Sequence, residues 1–201
     1  MARFPANIFV LTLAAALWAQ SAPSSSKAPV HAKSSPLDAG AINAGVYRNP
    51  SFGFSYRLPY GWVDRTADMQ DDSVSQSRVL MAIFERPPQA SGDTINSAVV
   101  IAAEPTPSAI KTAADYLDSL SALTTAKGFE TKEGPGEFSV GTTKLARGDF
   151  SKARGTLTMR QASLVMLEKG YVVSFTFIGG SEDEVSELIE KLNFVARKPQ
   201  R

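Results

Sequence analysis

Two runs, Val79–Phe84 and Ala98–Ala103, are apolar at every position. A strand of this kind places hydrophobic side chains on both faces of a sheet, so both faces need cover. An open sheet with one wet face is thereby excluded, and layers are required above and below. Between the runs, Arg86–Ser97 reads as a loop, with Pro87-Pro88 and Gly92-Asp93 as its breakers.

Elsewhere the hydrophobic period is two. Val46-Tyr47-Arg48 reads as a short first strand, and Asn49-Pro50 as a turn. Phe52, Phe54, Tyr56 and Leu58 alternate with smaller or polar residues, and Pro59-Tyr60-Gly61 suits a β-turn. Phe138–Thr142, Lys144–Ser151 and Thr156–Glu168 read as strands, with Ala153-Arg154-Gly155 turning the chain. Lys169-Gly170 is a hairpin connection into the alternating Tyr171, Val173, Phe175 and Phe177. Links this short cannot carry parallel crossovers, so the sheet is mainly antiparallel.

Two helices are expected. The first is capped by Thr106 with Pro107 at its first position. Its apolar stripe is Ile110, Ala113, Leu117, Leu120 and Leu123, and Gly128 takes its left-handed C-terminal position. The second opens on a Ser181/Glu184 capping box, buries Val185, Leu188, Ile189 and Leu192, and ends at Asn193-Phe194. The sum is an α+β chain: a mainly antiparallel twisted sheet with helices on its faces, in three layers.

Residues 1–19 read as a signal peptide. Arg3 supplies the positive start, and Ile8–Ala19 is an apolar run too short to span a bilayer. Cleavage is expected near Ala19, with an uncleaved anchor as the alternative. Residues 20–45 are rich in Ser, Ala and Pro, show no apolar periodicity, and read as a disordered spacer. One domain over 46–197 and a short tail, 198–201, complete the division. The expected location is periplasmic or extracellular, with no stable membrane insertion after cleavage.

Composition narrows the chemistry. The 201 residues hold no cysteine, which excludes disulfides, thiolate zinc sites, iron–sulfur clusters and a Cys nucleophile. The one histidine, His31, lies in the spacer, so a Ser-His-Asp triad has no base in the domain. A net charge of +1 argues against nucleic acid as a partner. No nucleotide-binding glycine pattern is present, and no cofactor is expected.

Four constellations remain. Ser108-Ala109-Ile110-Lys111 is a Ser-x-x-Lys at an expected helix start, where a lysine could activate a serine. Asp64, Asp68, Asp71 and Asp72 cluster after Trp62, and carboxylates suit a hard cation. The bland reading of that cluster, a solvated acidic loop, is favoured. Lys144, Arg147, Lys152, Arg154, Arg160 and Lys169 crowd one stretch and could form a basic patch toward an acidic partner, or simply guard strand edges. Tyr47, Tyr56, Tyr60 and Trp62 could line a groove; Phe52, Phe54 and Trp62 are read as core, and Tyr60 as the exposed candidate.

The stretch Tyr47-Arg48-Asn49-Pro50-Ser51-Phe52-Gly53-Phe54-Ser55-Tyr56-Arg57-Leu58-Pro59-Tyr60-Gly61-Trp62 resembles the opening of PsbP-like (Mog1/PsbP) domains, an aromatic strand followed by a Pro-x-Gly-Trp turn. The end is similar too: a strand like Tyr171–Ile178, a polar turn, a helix like Ser181–Leu192 and a closing Asn-Phe. The resemblance implies an α/β/α sandwich and roles that are mostly non-catalytic, including extrinsic photosystem subunits, a Ran-binding protein and exported bacterial proteins. It supplies no catalytic motif. The resulting expectation is an exported, non-catalytic binding or accessory domain that recognises a protein or an anionic envelope polymer. A small-ligand or lipid carrier and a Ser/Lys- or carboxylate-based hydrolase are the alternatives.

Overall fold

The computed structural model describes residues 37–70, 77–87, 90, 92–132 and 134–195. Its strands are β1 (Ala41–Asn43), β2 (Val46–Asn49), β3 (Phe54–Arg57), β4 (Val63–Asp64), β5 (Arg78–Phe84), β6 (Ala98–Pro105), β7 (Glu130–Thr131), β8 (Gly136–Val140), β9 (Thr143–Arg154), β10 (Leu157–Glu168), β11 (Tyr171–Gly179) and β12 (Leu192–Phe194). The helices are α1 (Ala113–Ala126) and α2 (Glu182–Ile189), with a 3₁₀ turn at Ala67–Met69.

The strands form two antiparallel sheets rather than one. The larger runs β4-β5-β6-β11-β10-β9-β7, with β8 also on β9; the smaller runs β1-β2-β3-β12. Strand alternation splits the larger sheet's side chains into two sets. One set includes Val99, Ile101, Leu164, Phe175 and Phe177, which pack against Tyr47, Phe54 and Tyr56 of the smaller sheet and Val185, Leu188 and Ile189 of α2. Phe54 meets Phe175 edge-on, with ring centroids 4.9 Å apart. On the other face, Ala113, Tyr116, Leu117 and Leu120 of α1 cover Ala146, Val165 and Val172. Beside them Val79, Ala82, Phe84, Val100 and Ile178 pack with Met69 and Ile95. The two runs apolar at every position are therefore β5 and β6, covered on both sides as expected.

Several boundaries move. Residues 41–43, read from sequence as spacer, pair with β2. Polar bonds anchor the chain just before them: the Tyr47 hydroxyl donates to the Ala39 carbonyl at 2.5 Å, and Arg78 donates to the Leu37 carbonyl at 2.8 Å. Sequence periodicity cannot show such bonds. Burial pushes the Tyr47 phenol up to about 12.

The first helix starts at Ala113, not beside Thr106. Thr112 is its N-cap and forms a full capping box with Asp115. Backbone N–H bonds from Lys111 and Thr112 hold the Asp115 carboxyl below its ordinary value. Its C-terminal end is as expected, with Gly128 at φ +81. In α2 only half of the expected box forms. Ser181 accepts from the Glu184 N–H, but the Glu184 carboxylate turns to the Gly180 N–H at 2.7 Å and to the Ser97 hydroxyl. That helix ends at Ile189, and Leu192–Phe194 becomes a strand paired with β3. The turn expected at Ala153-Arg154-Gly155 lies at Gly155-Thr156, because Leu157 pairs with Arg154. At Lys169-Gly170 both φ values are positive, +51 and +80, which fits a primed hairpin turn.

Under α1, Glu104 is half-buried and hydrogen-bonded to Tyr116; partial burial raises its carboxyl above the ordinary 4.5. Protonation of Glu104 therefore favours folding. Its contribution is full below 4.5 and is lost as pH rises through the raised value. Glu104→Gln keeps the neutral state at every pH. Its melting temperature relative to the native chain is expected to climb as pH rises above 4.5 through the raised value, and a flat difference in thermal melts counters this account.

Candidate functional site

Period two places Arg147, Asp149 and Ser151 on one face of β9, and pairing with β10 puts Arg160 beside them opposite Ser151. This is the face that α2 covers. β7 pairs with β9, and the next residue, Lys132, donates its N–H to the Asp149 carbonyl at 3.2 Å. Glu182, the first residue of α2, reaches over this group. It forms ion pairs with Lys132 and with Arg160, the latter at 3.5 Å. Arg147 grips Asp149 through Nε at 2.8 Å and Nη2 at 2.9 Å, and its guanidinium lies 5.0 Å from the Phe138 ring centroid.

The result is a cleft of about 210 Å³ lined by Lys132, Arg147, Asp149, Arg160, Glu182 and Ser186. The Lys132 hydrogen bond, joined by the Lys132, Arg160 and Arg147 charges, holds the Glu182 carboxyl below its ordinary 4.5. Glu182 is thus ionised at neutral pH. Side chains of this kind can hold an anion by fixed charge, with no proton transfer.

The six basic residues that crowd together in sequence do not form one patch. Arg147 and Arg160 meet in the cleft. Lys144, Lys152 and Arg154 have the opposite parity on β9 and project from the other face. Lys144 pairs with Glu137 at 3.0 Å. Lys152 lies 5.2 Å from the Phe129 ring centroid and donates to the Lys127 carbonyl at 2.5 Å, capping the end of α1. Lys169 donates to the Ser51 carbonyl at 2.5 Å. Arg154 is exposed. Lys132 was absent from the sequence candidates, since only the β7–β9 pairing brings it to Arg147.

The other candidates separate as well. Ser108 and Lys111 precede α1, both exposed, and the Lys111 ammonium bonds the Ser108 backbone carbonyl at 2.7 Å instead of its hydroxyl. Asp64 accepts from Thr66, and Asp68 pairs with Arg65 at 2.5 Å. Asp71 and Asp72 lie outside the described residues, as does His31. Among the described residues no three His, Asp or Glu side chains gather as a metal site. Tyr47 and Tyr56 are buried in the core. Tyr60 stands fully exposed, at 105%, on its turn and is not part of the cleft.

A second concavity, about 330 Å³, includes Glu85, Thr94, Leu157, Thr158 and Glu184 in its lining. Beside it, Ser97 is completely buried and donates its hydroxyl to Glu184, tying the start of β6 to α2. Ser97→Ala leaves that carboxylate without its buried donor. It is expected to cost about 1–3 kcal/mol in urea unfolding and to speed amide exchange in α2; unchanged values on both measurements contradict the tie.

No protein-family model matches the chain, and no curated protein matches it in sequence. Solved structures do. A Bacteroides thetaiotaomicron protein is 14% identical with a TM-score of 0.45, covering 79% of this chain and 50% of its own, so the chain spans about half that protein's length. LpqN of Mycobacterium tuberculosis, described as involved in cell envelope biogenesis, is 14% identical with a TM-score of 0.41, over 71% of this chain and 83% of its own. Cyanobacterial PsbP from Synechocystis is 14% identical with a TM-score of 0.49, over 78% of this chain and 96% of its own. These likenesses concern the fold and assign no function.

Proposed function

We propose that the chain is an exported, non-catalytic accessory domain of the cell envelope that binds an anionic partner, protein or polymer, through the cleft beside α2. One observation carries this reading: Lys132, Arg147 and Arg160, brought by β7, β9 and β10, converge on one open concavity. Guanidinium and ammonium groups stay charged at neutral pH and suit carboxylate or phosphate recognition. Export rests on the basic start and apolar run of residues 1–19 and on the Ser/Ala/Pro-rich stretch behind them. Among the described residues no helix is long and apolar enough to cross a membrane.

Co-sedimentation of the purified domain with envelope fractions tests the binding. Retention is expected to fall as salt rises past about 0.15 M, since exposed ion pairs are screened there. Arg147→Glu with Arg160→Glu is expected to abolish it, whereas Arg154→Glu, on the opposite face, leaves it intact. Equal retention of all three forms removes the cleft from the function. Protease treatment of the fractions separates the partners: lost retention identifies a protein, preserved retention a polymer. Export has its own measurement. N-terminal sequencing of the processed chain is expected to begin at Gln20, and an intact Met1 in the cell pellet argues against cleavage.

A further inference from the structure

We propose that the cleft is a binding site for a phosphoryl group, and that Glu182 fills it as an internal substitute which such a ligand displaces. The inference deepens the reading of the cleft as the partner-binding surface and rests on it.

Glu182 enters the cationic group from a different element. The cations belong to β9, β10 and the residue after β7, whereas the carboxylate comes from the first position of α2. A single oxygen, Oε1, serves both Lys132 and Arg160. The side chain is 63% exposed, so it has open solvent to swing into. α2 also keeps its cap without it, because Ser181 receives the Glu184 N–H at 3.1 Å and Glu184 receives the Gly180 N–H at 2.7 Å. Glu182 is thus dispensable to the helix and movable.

Charge and donor geometry select the ligand class. With Glu182 swung out, Lys132, Arg147 and Arg160 face Asp149 as the one remaining carboxylate in the lining, a surplus of two positive charges. A phosphate monoester carries about −1.5 to −2 at neutral pH, which matches that surplus, while a carboxylate brings half as much. Arg147 spends Nε and Nη2 on Asp149, so Nη1 remains as a donor. A phosphoryl group has three terminal oxygens, enough for Arg147 Nη1, Arg160 and Lys132 together. The two oxygens of Glu182 leave Arg147 to Asp149.

Isothermal titration of the whole domain with tripolyphosphate at low salt tests the proposal. The native domain is expected to bind, and Glu182→Gln to bind roughly two- to fivefold more tightly, the gain from removing one exposed competing carboxylate. Arg160→Ala is expected to weaken binding by about tenfold or more, and Arg154→Ala to leave it unchanged. Circular dichroism and the melting temperature confirm that each variant is folded; Arg160→Lys replaces Arg160→Ala if the latter is not. No binding by either the native domain or Glu182→Gln overturns the phosphoryl assignment. Binding that Glu182→Gln leaves unchanged or weakens overturns the displacement. In either case, envelope retention that still depends on Arg147 and Arg160 keeps the cleft as a binding surface, and its independence of them removes that reading too. Co-sedimentation with phosphatidylglycerol/phosphatidylcholine vesicles, against phosphatidylcholine alone, assigns the source. Capture by the anionic vesicles supports a lipid headgroup, and tripolyphosphate binding without capture supports a soluble or polymer-borne phosphate.

Discussion

The central strands of the large sheet carry apolar side chains on both faces, and water has to be kept from both. Burying one Phe or Ile contributes about 1.5–3 kcal/mol, so β5, β6, β10 and β11 cannot leave either face open. The placement of everything else follows. Phe54 and Tyr56 of the small sheet, with Val185, Leu188 and Ile189 of α2, close one side. Leu117 and Leu120 of α1, together with the Met69 and Ile95 segments, close the other. The Tyr56 hydroxyl, deep in this core, donates to the Leu188 carbonyl at 3.1 Å and so joins the small sheet to the end of α2.

The cleft is a by-product of that cover. On the α2 side β10 presents Arg160, then Ala162 and Leu164, and β9 presents Arg147 beside Asp149. Apolar positions lie beneath the body of α2, and charged ones begin where its first turn arrives. A buried guanidinium needs compensation that an apolar layer cannot supply. Here the arginines stay at the rim of the layer, where Glu182, Asp149 and water can meet them. The packing that seals the core therefore leaves a charged border, and β7 adds Lys132 to it.

The legible parts of the chain were those governed by local rules. The two-sided runs, the Tyr171–Phe177 alternation, the Lys169-Gly170 turn and the Gly128 terminus all stand where their patterns placed them, since side-chain parity and positive φ act over a few residues. Helix starts were harder to place. Thr106 followed by Pro107 is a good local cap, but the Thr106 N–H is held by the Gly170 carbonyl at 2.9 Å, and Thr112 with Asp115 caps the helix that forms. The spacer's end was hidden for a similar reason. Ala41–Asn43 has no pattern of its own and becomes a strand only because β2 offers an edge.

The sequence by itself determined the layered α+β character, the absence of thiol chemistry and the confinement of histidine to the N-terminal stretch, because each depends on residue type and spacing alone. It listed a crowd of basic residues without assigning them to faces. Only the tertiary structure decided that Arg147 and Arg160 stand together while Lys152 and Arg154 face away, and that Lys132 and Glu182 join the first pair. The physical reason is the pleat and the long-range ladder: neighbours in sequence alternate across a sheet, and residues fifty positions apart, as Lys132 and Glu182 are, meet through strand pairing and helix docking.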